Sequence, residues 1–451
     1  MRNAIILAAG KGTRMVSEHC KTMHELLGEP IIGHIYDNLR LAGVERIVAV
    51  VGYKAGEVKD YLGDKVEYVL QQPQNGSGDA VKKAEVLSKE EGKTLIVNGD
   101  CPLIQPETYE GIFKTAEDAD LSVMSTVMPD PSGYGRIIRK PNGDFAAIKE
   151  DKDCDQEEKQ IKEINAGIYC VDNQLLWQYL PELTDDNAQH EFYITQLVEI
   201  FNQHGKKVNT YIAGDYEEMI GINNRMMLAD AGKWLKHQVN LKLMRSGVTI
   251  LDPERTYLSK DTQVGMDTTI YPNVITEGKV KIGKNCKITA NSYLKNVEIG
   301  DDCVIDSSEL TDTIVGNETT IGPDSHLRNG CKIGDKVRIG NFVELKNTSF
   351  GYNTKCAHLT YVGDSSVGAH VNFGCGVVTV NYDGKNKFHT VIDDGAFIGS
   401  NVNIIAPVHI GTKALLAAGS TITSDVEAGD MGIARSRQEV KKGYGDKYLN
   451  K

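Results

Sequence analysis

Positive charge is in short supply. Lys and Arg number 50 against 62 Asp and Glu, and the 451 residues carry a formal charge of −12. A general nucleic-acid binder presents a basic face, so no nucleic-acid partner is expected. Local basic pockets for small phosphates remain open. Long apolar runs are also absent: none approaches the about 20 residues that a membrane-spanning helix needs. The opening MRNAIILAAG holds an apolar run too short for a secretory signal, and it merges into a motif that reads as functional. The expectation is a cytoplasmic protein with no membrane partner. Cysteine pairing is missing too. The nine cysteines (Cys20, Cys101, Cys154, Cys170, Cys286, Cys303, Cys331, Cys356 and Cys375) are odd in number, and no two have CxxC spacing. This favours free thiols in a reducing compartment over disulfides or structural zinc. Two familiar nucleotide loops are missing as well. Gly10 has no second Gly followed by Lys at Walker spacing, and a dinucleotide fingerprint would need a third Gly where Met15 stands.

What is present is LAAGKGTRM, residues 7–15, directly behind the apolar run Ala4-Ile5-Ile6. An apolar run and then a glycine-rich turn with Lys11 and Arg14 reads as a strand that ends in an anion-binding loop. Gly10 and Gly12 let successive backbone N–H groups converge on phosphate oxygens, because no Cβ blocks the approach. The bland alternative is an ordinary turn with solvated cations. A nucleotide is the ligand this loop suggests.

At this length two or three domains are expected. The first half alternates strands and helices. Residues 47–51, 66–70 and 94–97 are short, β-branched strand candidates, and 31–42 and 79–87 are helical stretches between them. Such alternation implies an α/β domain with a mostly parallel sheet covered on both faces. Ligands there sit beyond the carboxyl ends of the strands. The loop 7–15 and the turn Asn98-Gly99-Asp100 both follow strands, so both can border one crevice. Residues 224–245 have apolar positions at near-helical spacing, and Gly247 is a candidate C-cap.

After that helix the chain keeps a six-residue clock. Ile321, Leu327, Ile333, Ile339 and Leu345 are each six apart, as are Ile398, Ile404, Ile410, Leu416 and Ile422. A period of six fits neither an amphipathic helix nor one flat strand. It fits a coil of very short strands with an aliphatic residue turned inward and Gly or Asx at the corners, the hexapeptide signature of a parallel β-helix.

Two sets of residues carry chemistry. Nucleotidyl transfer needs cations for developing phosphate charge and usually magnesium on hard oxygen ligands. Asp100, at the end of TLIVNGD, offers a carboxylate at a strand end, and it serves equally well as a turn residue. Lys21 and Arg14 are candidate cations, or surface charges. In the repeat region, residues 358–388 crowd His358, Tyr361, Asn372, Asn381, Tyr382 and Lys387 into a short span, with an inserted loop at 381–389. Acyl transfer to an amine needs a base and donors for the oxyanion, and an unperturbed imidazole, with a pKa of about 6.5, suits the first role. A β-helix can also be mere scaffold.

The chain resembles the bifunctional bacterial enzymes that join an N-acetylglucosamine-1-phosphate uridylyltransferase to a glucosamine-1-phosphate N-acetyltransferase. The resemblance rests on residues 7–15, Lys21, Gln71 with Gly76-Ser77-Gly78, Asn98-Gly99-Asp100, Gly133-Tyr134-Gly135-Arg136, Ile164-Asn165-Ala166-Gly167, Gly221-Ile222-Asn223-Asn224-Arg225, and the segment 358–388. It implies an α/β nucleotidyltransferase domain with a Rossmann-like mixed sheet at residues 1–223. A linker helix at 224–247 would follow, and then a left-handed parallel β-helix of hexapeptide repeats with a C-terminal tail at 248–451.

The resemblance also assigns residues. It makes Asp100 and Asn223 the Mg2+ ligands, and Arg14 and Lys21 the catalytic cations. Leu7, Ala8, Ala9, Gly10, Asn98 and Gly99 would line the nucleotide. Gln71, Gly76 and Ser77 would read uracil, and Gly135, Glu150 and Asn165 would contact the amino sugar. In the second half His358 would be the general base. Arg328, Lys346, Tyr361, Asn372 and Lys387 would hold the sugar phosphate. Cys375, Asn381, Tyr382, Ser400, Ala418 and Arg435 would lie against acetyl-CoA. The co-substrates would be UTP and acetyl-CoA, the assembly a homotrimer, and the product, UDP-N-acetylglucosamine, would feed cell-wall synthesis.

Four positions depart from the family pattern: Cys20 replaces a proline, Ser77 a threonine, Cys375 an alanine, and Asn329 the proline after Arg328. The nearest rival is a single-function nucleotidyltransferase on an inert β-helix; His358 and the 381–387 loop separate the two. A second rival is a hexapeptide assembly protein whose first domain only senses nucleotide, and Arg14, Lys21 and Asp100 together speak against it. The tail from Lys441 reads as solvated or disordered.

Overall fold

The computed structural model describes residues 1–187 and 189–449. They fall into two compact units, Met1–Leu235 and the chain from Lys236 onward.

The first unit is built on a nine-stranded mixed sheet. Across it run Val208–Ala213, Leu121–Val127, Glu163–Asp172, Lys93–Asn98, Arg2–Ala8, Arg46–Val51 and Glu67–Leu70, with Arg136–Arg139 and Phe145–Lys149 at one side. The four strands from Lys93–Asn98 to Glu67–Leu70 are parallel, while Glu163–Asp172 is antiparallel to both neighbours. The run Ala4-Ile5-Ile6 is wholly buried in the strand Arg2–Ala8. Successive side chains alternate between faces: Ala4 and Ile6 pack with Ile31, Ile35 and Leu39, and Ile5 packs on the other face with Ala80 and Val81. Burial on both faces explains why this strand reads as a continuous apolar run. The helix expected at 31–42 is Ile31–Leu41, and the stretch 79–87 is the helix Ser77–Lys83 followed by the 3-10 turn Glu85–Leu87. At the carboxyl edge Gly99 N donates to Leu7 O at 3.0 Å. The loop at 7–15 and the turn at 98–100 thus share one border.

The helix Arg225–Arg245 contributes Ala231 and Leu235 to the core of the first unit and Leu243 to that of the second. Gly247, at φ +93°, stops it in a backbone region that favours glycine.

The second unit is, among the described residues, a stack of 23 strands, most of them two or three residues long, paired in parallel. Every residue of the clock is buried: Ile321, Leu327, Ile333, Ile339 and Leu345, and again Ile398, Ile404, Ile410, Leu416 and Ile422. Ile270 pairs with Ile288 and Ile321 with Ile339, so one coil takes about three hexapeptides. The pairing of Phe373 with Ile398 breaks this rule, because the loop inserted between Val380 and Thr390 lengthens that coil. Corners are fixed by stacked Asx side chains. Asp301 Oδ1 accepts from Lys284 N at 2.7 Å, Asn317 Oδ1 from Asp301 N at 2.9 Å, and Asp335 Oδ1 from Asn317 N at 2.6 Å. A Cβ on Gly340 would collide with the carbonyl of Ala357, which accounts for a glycine at that close approach. The tail is exposed, and Tyr444–Leu449 forms a short helix without a buried residue. Residues 450 and 451 of that tail lie outside the described residues.

Candidate active sites

In the first unit four side chains meet at the carboxyl edge of the sheet. Lys21, from the turn Lys21–Met23, places Nζ 2.5 Å from Asp100 Oδ2 and 2.7 Å from Asn223 Oδ1. Arg14 Nη2 donates to the same Asn223 oxygen at 2.8 Å. The strap that carries Asn223 is pinned by Ile222 N, which donates to Asp100 O at 2.8 Å. Two hard oxygens, one carboxylate and one amide, therefore converge on a single cationic centre, now the Lys21 ammonium. This donor set fits Mg2+, which takes few protein ligands. Among the described residues no three His, Cys, Asp or Glu side chains gather into a larger metal cluster. The turn that bears Lys21 ends at His24, a buried imidazole held to Arg225 at 3.2 Å. Burial, and then the Arg225 charge, lower its pKa.

The expected base-reading residues also sit together. Gln71 is 5% exposed, and its Nε2 donates to Gly76 O at 3.0 Å and to Asp79 Oδ2 at 2.9 Å. The Gln71 amide is thereby fixed with Oε1 as its remaining acceptor. Gly76, at φ +101°, runs against the Phe192 carbonyl and leaves no room for a Cβ. Ser77 Oγ accepts from Ile194 N at 3.1 Å, so the hydroxyl that replaces threonine has a structural partner. Asp79, which orients Gln71, escaped the sequence reading. Its signal was its place eight residues after Gln71, in the first turn of the helix.

Gly135, Asn165 and Glu150 form a third group. Asn165 N donates to Gly135 O at 2.8 Å, and Asn165 Nδ2 to Tyr169 OH at 2.9 Å. Burial raises the Glu150 pKa, with Asp153 and Asp151 adding to it. Behind this group Arg136 is 2% exposed and pairs with Asp151 at 2.9 Å. A cavity of about 380 Å³ lies beside Tyr134, lined by Leu103, Met128, Met227 and Trp234. None of the expected contact residues lines it.

In the second unit a column of side chains runs along one edge of successive coils. Asn341 is in register with His358. Gly376 N donates to Leu359 O at 2.9 Å, Asn401 N to Cys375 O at 2.8 Å, and Gly419 N to Ser400 O at 2.8 Å. Residues 341, 358, 375, 400 and 418 therefore stack. Next to its end, Ala434 N, adjoining Arg435, is held by Ser420 Oγ at 3.1 Å. His358 is exposed, and its Nδ1 lies 3.3 Å from Asn341 Oδ1. With the amide oxygen as acceptor, Nδ1 carries the proton and the Nε2 lone pair is free. Asn341 was not found from sequence, because its contact requires knowing the length of one coil.

A cluster of cations is gathered from two neighbouring coils and the inserted loop. Arg328 is in register with Lys346, and Glu344 with Tyr361. The Lys387 ammonium, brought in by the inserted loop, pulls the Lys346 pKa down, as crowding of like charge does. Arg328 pairs with Glu344, a carboxylate the sequence reading missed although it alternates with Leu345 as a surface position. Asn381 is buried and donates to Asp364, which also accepts from Asn347 at 2.6 Å. Tyr382 bridges to Lys387 across the loop. Asn372 stands apart, on a strand in register with Lys355 and Phe397. Cys375 is the exposed thiol, while the other eight cysteines are buried. Maleimide should label it in the native protein, and acetyl-CoA should slow the reaction. Equal rates with and without acetyl-CoA would remove Cys375 from that site.

A mixed sheet with a phosphate-type loop, followed by hexapeptide coils, defines a two-part transferase. Family models agree: a MobA-like NTP transferase domain matches residues 4–152, a GMPPB C-terminal domain residues 253–350, and six bacterial transferase hexapeptide repeats residues 389–424. The "Bifunctional protein GlmU" of a Geobacillus species is 46% identical over 99% of this chain and 98% of its own. That of Halalkalibacterium halodurans is 45% identical over 100% of this chain and 99% of its own. That of Streptococcus agalactiae is 43% identical over 98% and 97%. The chain belongs to the bifunctional GlmU family. Its second unit is accordingly a left-handed hexapeptide β-helix.

Proposed function

We propose that the chain makes UDP-N-acetylglucosamine by two transfers, one in each unit. The observation that carries this reading is that one chain holds both a convergent Lys21–Asp100–Asn223 centre and, on the coils that also carry His358, a separate cation cluster. The uridylyltransferase domain is read as residues 1–223, the linker helix as 224–247 and the acetyltransferase domain with its tail as 248–451.

In the acetyltransferase, Arg328, Lys346 and Lys387 hold the phosphate of glucosamine-1-phosphate, with Tyr361 and Asn372 against the sugar. His358 Nε2 takes a proton from the amine. The nitrogen attacks the thioester carbon of acetyl-CoA, the C–N bond forms, and the C–S bond breaks to release CoA as thiol. Glu344, beside Tyr361, faces the same cationic group as a carboxylate suited to the substrate ammonium. Cys375, Asn381, Tyr382, Ser400, Ala418 and Arg435 line the CoA.

In the uridylyltransferase, Gln71, Gly76 and Ser77 select uracil; fixed, paired donors and acceptors reject bases that leave them unmatched. Leu7, Ala8, Ala9, Gly10, Asn98 and Gly99 shape the nucleotide cleft, and Gly135, Glu150 and Asn165 receive the acetylated sugar. A phosphate oxygen of N-acetylglucosamine-1-phosphate attacks the α-phosphorus of UTP, and the bond to the β-phosphate breaks to release pyrophosphate. Mg2+, held by Asp100 and Asn223, would neutralise charge on the triphosphate. Arg14 and Lys21 stabilise the transferring phosphoryl oxygens.

The assembly is read as a homotrimer. Two features support a second copy at the acetyltransferase site. Asn372 is in register with Lys355 and Phe397, not with Arg328, Lys346 or Tyr361. Phe342 and Leu359, next to Asn341 and His358, are exposed apolar residues at positive-φ corners. The protein is read as cytoplasmic; no described helix is long and apolar enough to cross a membrane. The order of steps is testable. With glucosamine-1-phosphate, UTP and Mg2+, product should require acetyl-CoA, and accumulation of UDP-glucosamine without it would reverse the order.

A further inference from the structure

We propose that His24 is a positioning residue for uridylyl transfer, clasping the Lys21 turn to the Asn223 strap through Arg225. This rests on the reading of Lys21 and Asn223 as uridylyltransferase residues.

The clasp is a bond of defined polarity. Arg225 Nη1 lies 3.2 Å from His24 Nδ1. A guanidinium has no acceptor, so it donates, and Nδ1 is the unprotonated nitrogen of a neutral ring. The ring proton is then on Nε2, which is buried and has no hydrogen-bond partner. A buried donor left unpaired is unfavourable. Arg225 is exposed and does not need this bond to satisfy its own burial. The chain thus keeps a bond at the expense of a buried N–H, on a residue that handles no phosphate.

The geometry around the clasp shows what it steadies. His24 O accepts from Ile31 N at 2.9 Å, which ties the Lys21 turn to the start of the helix Ile31–Leu41. Arg225 opens the helix Arg225–Arg245, whose first turn is capped by Asn224 Oδ1 accepting from Met227 N at 2.9 Å. The clasp therefore joins the starts of two helices. Other side-chain ties to the strap run from Lys21 Nζ in this turn and from Arg14 Nη2 in the loop at 7–15 to Asn223 Oδ1. On that reading Lys21 Nζ and Arg14 Nη2 turn to the triphosphate and Asn223 Oδ1 to Mg2+ during the reaction, and their mutual bonds loosen when they do. The His24–Arg225 bond uses none of them and persists. A misplacement of about 1 Å at a reacting centre can cost about 10²-fold in rate, so a tie of this kind acts on kcat.

The test compares His24→Leu, Arg225→Met, the double variant, His24→Asn and Lys21→Ala. Uridylyl kcat and KM, UTP affinity by equilibrium dialysis, and acetyl transfer are read on the same preparations. His24→Leu and Arg225→Met should each lower uridylyl kcat about tenfold. UTP affinity and acetyl transfer should hold within about twofold, and the double variant should be no worse than either single. Asn at 24, whose Oδ1 can accept from Arg225, should restore most of the rate. Full kcat in His24→Leu, multiplying losses in the double variant, or UTP affinity and acetyl transfer falling with kcat would each overturn the clasp. Lys21→Ala separates the two claims. If it keeps uridylyl transfer, the underlying site reading fails. If it loses transfer while His24→Leu does not, only the clasp fails.

Discussion

Replacing His358 with alanine lowers acetyl transfer by roughly 10²–10⁴-fold, the range for removing a positioned general base. Uridylyl transfer by the same variant stays near that of the parent. The size of the effect follows from the site. His358 is exposed on the coil edge, its Nδ1 is engaged by Asn341, and its Nε2 is free to take a proton. Its removal leaves no other imidazole in the column of residues 341, 358, 375, 400 and 418. The change is confined to an exposed side chain, so the buried aliphatic stack and the fold should be untouched. CoA release measured beside pyrophosphate release checks both halves in one sample. Equal loss of both activities would break the two-site account.

Asp100→Ala produces the opposite pattern. Uridylyl transfer falls about 10²–10³-fold, as when one strong electrostatic contact to a transition state is removed, and acetyl transfer is unchanged. Asp100 supplies one of the two oxygens that converge on the cationic centre, and it is the partner of Lys21 at 2.5 Å. Without it the amide oxygen of Asn223 is left as the single hard ligand, so raising Mg2+ should recover part of the rate. Pyrophosphate release at the parental rate would take Asp100 out of the site.

The repeat half was legible because its code is local. Each inward aliphatic residue is set by its own hexapeptide, and the buried positions from Ile321 to Leu345 and from Ile398 to Ile422 fall on the six-residue clock. The inserted loop showed itself by interrupting that clock. The corners were legible in part. Many hold Asx or Gly, but Phe342 and Leu359 also take positive φ, which no local propensity would suggest. In the first half the parallel strands Arg2–Ala8, Arg46–Val51 and Lys93–Asn98 announced themselves as apolar runs, whereas the parallel pair Leu121–Val127 and Val208–Ala213 did not. The antiparallel Glu163–Asp172 did not, since its direction depends on which strands it meets. Partners that close over long sequence distances stayed hidden. Asn341 meets His358 only through coil length, and Arg225 meets His24 across 201 residues. Family resemblance named groups at these sites but not what holds them.

The most direct test of two active sites in one chain is thiol release on mixing the purified protein with acetyl-CoA and glucosamine-1-phosphate in the absence of UTP. The account predicts sugar-dependent release of CoA. No release from folded protein that still forms pyrophosphate from UTP and N-acetylglucosamine-1-phosphate would contradict it and reduce the β-helix to a scaffold.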